Sequence, residues 1–366
     1  MIEKEEIKEI QTIFQKELQE AIIPSKNNNK VSKEELYNIL KVIAPGTNFR
    51  TALDNVVKGG RGTMVVIQNE SLLPLLDGGF RVNCKFTPQK LVELGKMDGA
   101  IILSPDMKRI ESANVQLTPD SKIKTNETGT RHKAAERTAK QTGCIVIAVS
   151  ERRREIILFY KNAKHVVKYT AELLRTANEQ IQLLEKHREL FDTYLERLNR
   201  SELRNYYNVN HAISVIQKGR IILKIAADLK RYIVELGNEG LLLKTRLKEI
   251  SHNIEKETDL VLKDYTKIGL TKSKLLLETL SYDELLDADN IKKTIAYEKE
   301  IKTDPLKGWR ILSKTSLQEP DIALLIKEAA NLGKIIHAET EFYMKVLGEE
   351  KANQFKEDIE RIKLNY

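Results

Sequence analysis

The stretch GCIVIAVSERRREIILFY, residues 143–160, contains two short apolar runs, 143–149 and 155–160, on either side of a charged segment. Both runs are rich in β-branched residues and are shorter than a usual helix, which indicates two buried strands. Two further runs of this kind, TMVVIQ at 63–68 and GAIIL at 99–103, precede them. The sequence therefore predicts a central β-sheet between about residues 60 and 160.

Helical patterns lie before and between these strands. Ser32 followed by Glu35 is a capping-box pattern that predicts the start of a helix. Further helices are expected from Pro88, behind the capping Thr87, and at about 130–141, the latter with Thr130 as its N-cap residue. Because strands alternate with helices, we predict an α/β domain at 31–165 in which helices flank a central mixed sheet.

The remaining sequence predicts three further segments. Isoleucine residues at helical spacing over 2–22 indicate an amphipathic helix in an N-terminal extension, 1–30. Beyond residue 166 the strand pattern disappears, and leucines recur every three or four residues, which predicts an all-α bundle at 166–300. Shorter helical pieces, broken near Asp304-Pro305 and Glu319-Pro320, indicate an all-α domain at 301–366.

The composition is that of a soluble globular protein, with 41% hydrophobic and 31% charged residues. The sequence contains no apolar run long enough to span a membrane, and its acidic start does not resemble a signal peptide, so we expect a cytoplasmic protein without membrane association. The net charge of +8 divides into +4, +4 and zero over 1–150, 151–300 and 301–366. Charge alone therefore marks no segment as a nucleic-acid-binding domain.

The cysteines and histidines do not suggest a metal centre. Cys84 and Cys144 are 60 residues apart, and Cys144 opens an apolar run, so a buried thiol is expected and a disulfide is not. The six histidines lack the spacing of zinc ligands.

Asp98-Gly99-Ala100 stands where a helix is expected to end and a strand to begin. Small residues there would let a ligand approach the backbone, and the carboxylate could accept a proton or bind a divalent metal. The same tripeptide is also typical of a simple turn. Both interpretations stay open on these residues alone.

Gly129-Thr130-Arg131-His132-Lys133 places cationic and donor side chains at the start of a helix. Cations there oppose the helix dipole, and an anionic ligand such as a triphosphate would resolve the conflict. A solvated basic patch is the alternative. Ser150 follows a strand and could reach a phosphate, although Ser150–Arg154 could equally form a charged hairpin turn. The sequence has no Walker or GxGxxG pattern, so a nucleotide site here would be of another type.

Four segments in this order and spacing resemble the diadenylate cyclase family: 96–103, 113–117, 129–142 and 149–153. The segment VIAPGT at 42–47 is similar to the DNA integrity scanning branch of that family, DisA. The resemblance implies an enzyme, a nucleotidyltransferase that condenses two ATP molecules into cyclic di-AMP and releases two pyrophosphates. It also implies that two cyclase domains face each other, as in a homo-octamer.

The resemblance assigns roles to residues of this sequence. The catalytic residues are Asp98, Arg131 and His132, and Mg²⁺ or Mn²⁺ is implied as cofactor, with Asp98 and His132 as its ligands. The ATP-binding residues are Gly99, Ala100, Leu117, Thr130, Arg131, His132, Lys133, Ala134 and Ser150. Lys133 and Ala134 depart from the Arg and Thr that are usual in the family.

The family ends in a helix-hairpin-helix module, which implies binding of branched DNA coupled to cyclase activity. Gly348 and Lys351 would contact DNA. Val346 replaces the first hairpin glycine, and Glu349 and Glu350 add negative charge, so the module is degenerate. The alternative function is a DNA-bound scaffold or sensor that binds ATP without turnover.

Overall fold

The computed structural model describes residues 31–204, 206, 209–296 and 306–365. The predicted helix at 2–22 and the predicted break at Asp304-Pro305 lie outside these residues. The described chain forms two compact units. The first contains the described residues up to Ala177 together with Arg231–Leu242, and the second contains the described residues of Asn178–Lys230 and those from Leu243 onward.

An eight-stranded sheet is the centre of the first unit. Its strands run in the order β2-β5-β4-β1-β6-β7-β8, and β3 pairs with β5. β1 is parallel to β4, whereas the other pairs are antiparallel, so the sheet is mixed, as the sequence predicted. The strands are β1 Thr63–Ile67, β2 Leu76–Asp77, β3 Phe80–Lys85, β4 Ala100–Leu103, β5 Arg109–Leu117, β6 Ile145–Ser150, β7 Glu155–Tyr160 and β8 Ala163–Val167.

Both faces of the sheet are covered, which is why its central strands are apolar along their whole length. Side chains alternate between the two faces, so Val65 and Ile67 of β1 pack on one side, and Met64 and Val66 on the other. Three helices cover the first face: α1 Lys33–Val42, α2 Asn48–Lys58 and α3 Pro88–Leu94. Helix α4, Thr130–Thr142, covers the second face through Ala135 and Ala139.

The helix starts agree with the capping predictions at two places and differ at a third. Ser32 and Glu35 form the reciprocal hydrogen bonds of a capping box. Thr87 caps α3 by accepting from the Lys90 N–H. The predicted N-cap Thr130 is wrong, because Gly129 has the extended cap conformation and Thr130 is the first helical residue. No side chain caps α4, so its first N–H groups are left for another acceptor.

The rest of the described chain is helical, as predicted. Gln318 and Glu319-Pro320 mark a helix start, in agreement with the break predicted there. None of the described helices is long and apolar enough to cross a membrane. The helices are α5 Thr170–Leu203, α6 Val209–Leu236, α7 Leu241–Ile250, α8 Ile254–Tyr265, α9 Leu270–Thr279, α10 Tyr282–Leu286, α11 Ala288–Thr294, α12 Trp309–Leu312, α13 Glu319–Ala329, α14 Leu332–Ile336, α15 Thr340–Leu347 and α16 Glu349–Asn365.

A buried polar network ties α12 to α5 and α8 within the second unit. Arg310 is fully buried, and its guanidinium donates to Glu202 and Asn199 of α5. Asp264 of α8 accepts from the backbone N–H groups of Gly308, Trp309 and Arg310 at 2.8–3.0 Å. These contacts pair the buried Arg310 guanidinium with acceptors and satisfy the free N–H groups that begin a helix.

Candidate nucleotide site

The motifs singled out in the sequence meet at one edge of the sheet. Ala100 at the start of β4 pairs with Met64 near the start of β1, and Thr63 pairs with Val149 near the end of β6. Asp98-Gly99 therefore precedes β4 at the same edge where Ser150 ends β6. Since β1 lies between them, two strand spacings, about 10 Å, separate the two positions.

The turn that carries Asp98 is fixed by a close backbone contact. Gly99 has φ +88°, and a Cβ at this position would lie 2.8 Å from the carbonyl carbon of Asn114. Asn114 is itself left-handed, with φ +54°, where the pairing of β4 with β5 shifts register. The Asp98 side chain is exposed and has no hydrogen bond or ion pair with another described residue. The backbone is thus held in place while the carboxylate is available to a ligand.

Arg131 reaches from the start of α4 to the same edge. Its guanidinium lies against Gly62, where a Cβ would overlap Nη1 and would also lie 3.3 Å from the Val149 carbonyl oxygen. The run Gly59-Gly60-Arg61-Gly62 leads from α2 into β1. Because Gly62, the last residue of this run, has no side chain, it leaves the space that the Arg131 guanidinium occupies.

A cavity of about 530 Å³ opens beside the start of α4. Gly129, His132 and Ser150, which the sequence analysis singled out, line it. Four further lining residues had no role assigned from the sequence, although two of them stand within the Ser150–Arg154 segment considered there. These are Glu127, Thr128, Arg152 and Arg153.

The cavity has a net positive charge, because Arg152 and Arg153 outnumber Glu127 in its lining. Burial is the main cause that lowers the pKa of His132, and the nearby charges of Arg131, Arg153 and Lys164 lower it further, against the opposing effect of Glu127. A lowered pKa favours the neutral imidazole at pH 7. A bound polyphosphate would counter the surrounding positive charge, so the cavity is suited to an anionic ligand.

The loop between β5 and α4, residues 118–129, is held by side chains of α4. Arg137 Nε donates to the Ile123 carbonyl at 3.0 Å, and Lys140 Nζ donates to the Lys124 carbonyl at 2.9 Å. Gln141 accepts from the Asp120 N–H at 2.9 Å. The end of this loop forms one wall of the cavity, and the loop is therefore anchored on α4, the helix whose start faces the cavity.

The other residues expected at the site lie either in the hydrophobic core or near the start of α4 and the end of β6. Ala100 and Leu117 are buried in the core between the sheet and α4, outside the cavity lining. Thr130 is exposed, and Lys133 and Ala134 are half-buried in the first turns of α4. Ser150 Oγ accepts from the Arg153 N–H at 3.2 Å, which orders the turn that follows β6.

The described residues contain no cluster of three or more His, Cys, Asp or Glu side chains suited to a metal ion. Asp98 and His132 lie on separate elements at the site. One exposed carboxylate fits a Mg²⁺ or Mn²⁺ ion that is held mainly by substrate phosphates and water.

In the C-terminal segment, Gly348 connects α15 to α16 with φ +83°. Lys351 forms an ion pair with Asp321 at 2.8 Å. Both residues were predicted to contact DNA, and this assignment stays a prediction, as does the helix-hairpin-helix module.

Known proteins match both parts of the chain. Residues 50–164 match the family described as DisA bacterial checkpoint controller nucleotide-binding, and 167–304 match the DisA bacterial checkpoint controller linker region. The DNA integrity scanning protein DisA of Clostridium acetobutylicum is 37% identical over 348 residues, 92% of this chain and 97% of that protein. This chain belongs to the DisA family.

Other DisA proteins show similar agreement. The protein of Bacillus subtilis is 38% identical over 90% of this chain and 94% of its own length. That of Clostridium beijerinckii is also 38% identical, over 89% of this chain. The Asp98 turn, the start of α4 and the cavity all fall within the part that matches the DisA nucleotide-binding family.

Proposed function

We propose that this protein is a diadenylate cyclase that converts two ATP molecules into cyclic di-AMP and two pyrophosphates. Membership of the DisA family supports this proposal. The observation that carries it is the convergence of an exposed carboxylate, Asp98, and a cation-lined cavity at one edge of the sheet.

The reaction needs a nucleophile and a leaving group on each ATP. The 3′-oxygen of each ribose forms a bond to the α-phosphorus of the other ATP. The bond from that phosphorus to the oxygen that bridges to the β-phosphate breaks, and pyrophosphate leaves. Each hydroxyl loses its proton as the bond forms, and Asp98 orients the hydroxyl and helps to remove that proton.

The cationic residues of the site act on the phosphates. Arg131, held against Gly62, can donate to two phosphate oxygens, whereas Lys133 acts as a compact charge. Arg152 and Arg153 line the cavity and add positive charge where the pyrophosphate departs. His132 completes the donor set.

Mg²⁺ or Mn²⁺ would be held by Asp98 and the substrate phosphates, with His132 as a further ligand, and would neutralise phosphate charge. One chain supplies half of the groups that a symmetric two-ATP reaction needs. We therefore infer that cyclase domains pair face to face within a homo-octamer.

The C-terminal segment would couple this activity to branched DNA through Gly348 and Lys351. A salt titration with junction and linear DNA tests the coupling, because phosphate contacts weaken as salt rises. Binding that prefers junctions and changes the rate of cyclic di-AMP formation is expected. Absence of binding at low salt would remove this part of the proposal.

The cyclase proposal is tested by incubating the protein with ATP and Mn²⁺ or Mg²⁺ and separating the products by chromatography. Cyclic di-AMP is expected, and Asp98→Asn should bind ATP but form at least about 100-fold less product, since general-base assistance contributes about 10²–10⁴-fold. ATP binding without product from the unaltered protein with either metal would favour an ATP-binding sensor instead.

A further inference from the structure

Glu127 is an unexpected residue in a cavity for a polyphosphate. It is the acidic residue of the cavity lining, whose other titratable side chains are those of Arg152, Arg153 and His132. Its side chain is only 10% exposed. A carboxylate in this position repels phosphate oxygens and loses hydration on burial, so its charge needs a partner.

Lys164 is that partner. The Lys164 ammonium on β8 forms an ion pair with the Glu127 carboxylate. Lys164 is 44% exposed, so the cation stays hydrated while it compensates a nearly buried anion. The pair also joins the end of the 118–129 loop to the sheet, whereas Arg137, Lys140 and Gln141 join the loop to α4.

The backbone of Glu127 is fixed independently of this pair. Its N–H donates to Thr125 Oγ1 at 3.1 Å, and the Thr125 hydroxyl donates to Glu136 of α4. Loss of Lys164 would therefore leave the Glu127 carboxylate in the cavity wall, two residues before the Gly129 N-cap. An uncompensated anion at that place would act against every phosphate that enters.

We propose that Lys164 is a positioning residue of the nucleotide site, which holds and neutralises Glu127 so that the cavity accepts the triphosphate. The inference rests on the proposed function in that the ligand is ATP. Its physical signature is that removal of Lys164 alone harms ATP binding more than removal of both members of the pair.

Four variants of the full chain test this: Lys164→Met, Glu127→Gln, their combination, and Lys164→Arg. Binding of a non-hydrolysable ATP analogue is measured by calorimetry, and KM and kcat are measured for ATP. We expect Lys164→Met to weaken binding about tenfold and to raise KM with little change in kcat, a modest loss because the lysine is half exposed.

Adding Glu127→Gln to Lys164→Met should restore binding of the ATP analogue. Glu127→Gln/Lys164→Met should bind within about threefold of the unaltered protein, because the stranded charge is gone. Glu127→Gln alone should bind equally or more tightly, and Lys164→Arg should behave as the unaltered protein. Lys161→Met is the control, since Lys161 forms an ion pair with Glu35 at 3.1 Å away from the cavity and its loss should leave the dissociation constant unchanged.

The outcomes separate this inference from the cyclase proposal. Normal binding by Lys164→Met, or a double variant as weak as Lys164→Met, would overturn the role of Lys164. Weaker binding by Glu127→Gln would show that Glu127 contacts ATP itself and would also overturn it. An unaltered protein that binds the analogue but yields no cyclic di-AMP would overturn only the cyclase proposal, and one that does not bind would overturn both.

Discussion

Gly62 is important for the placement of the Arg131 side chain. The Arg131 guanidinium occupies the space of the missing side chain, beside the Val149 carbonyl. The φ of Gly62 does not require glycine, so an alanine there would be restricted by its contacts alone, chiefly with the Arg131 guanidinium and, at 3.3 Å, with the Val149 carbonyl oxygen. The position therefore isolates the placement of Arg131 from any effect of backbone strain.

We expect Gly62→Ala to displace Arg131 and to lower kcat/KM for ATP at least about tenfold, since a bidentate charged contact contributes well above 1 kcal/mol. Steady-state kinetics with ATP measure the effect. Gly59→Ala is the control, because its Cβ would meet neighbours only at 3.4 Å and beyond. Equal activity of the two variants would show that the observed position of Arg131 is unimportant.

Lys133 offers a prediction in the opposite direction. It lies half-buried in the first turn of α4, where the diadenylate cyclases that this sequence resembles usually have arginine. Lys133→Arg should raise kcat/KM about two- to fivefold because a guanidinium can bind two phosphate oxygens. Lys133→Gln should lower it, and a gain from glutamine would contradict a phosphate role. Kinetics at several ATP concentrations distinguish KM from kcat.

At the scale of elements, α12 depends on one buried carboxyl group. Asp264 accepts three backbone hydrogen bonds at the start of this four-residue helix. Burial, and then the charge of Glu202, raise the pKa of Asp264 from 3.8 to about 7. The folded protein thus keeps a proton that the unfolded chain releases above about pH 4.

This pKa shift predicts how stability changes with pH. The contribution of protonated Asp264, about 4 kcal/mol at most, is complete below about pH 4 and is lost as the pH rises through about 7. Asp264→Asn should not show this loss. Urea unfolding of both proteins from pH 5 to 8 should give a stability advantage of the aspartate that shrinks with pH. A constant or growing difference would contradict the shift.

The sequence predicted those elements whose burial leaves a simple pattern. β6 and β7 lie inside the sheet and are apolar except for Ser150 and Glu155 at their ends, so their existence was predictable from composition. β5 was missed because its pattern is partly polar and is interrupted by the left-handed Asn114. β3 was missed because strands were predicted only from continuous apolar runs, although Val82 and Cys84 alternate with polar residues and pack against the core.

The site was predictable to the same extent. Asp98 and the Thr130–Lys133 helix start were found because their order along the chain resembles a known family. Glu127 was missed, since only folding brings the β5–α4 loop beside the turn after β6. Arg152 was considered as part of Ser150–Arg154, but only Ser150 of that segment was assigned to the site. The N-cap was misplaced by one residue because threonine is usually the better capping residue, yet glycine takes the role here.

At the scale of the whole molecule, the first compact unit is discontinuous in sequence. Arg231–Leu242 belongs with it, although more than fifty residues separate this segment from Ala177. Glu235 contacts His165 of β8 at 3.6 Å, and Gly237 lies so close to Ala44 that a Cβ would approach within 2.8 Å. The α/β domain predicted at 31–165 did not include this later segment, Arg231–Leu242.

We expect Gly237→Ala to lower the melting temperature more than Gly269→Ala. Both glycines have positive φ, but only Gly237 has a neighbour within 4 Å of the added Cβ. The overpacking against Ala44 should cost about 1–3 kcal/mol beyond the backbone strain that the two variants share. Calorimetry of the full chain measures both, and equal melting temperatures would show that the contact is unimportant.

The return of Arg231–Leu242 also has a consequence for how the protein is made. During synthesis, the sheet and its flanking helices leave the ribosome long before the residues that complete their packing, and at 5–20 residues per second the interval is several seconds. A nascent chain arrested at residue 177 exposes the surfaces around Ala44 and His165 to chaperones. The first unit can therefore complete its packing only after Arg231–Leu242, its last segment to be translated, has been synthesised.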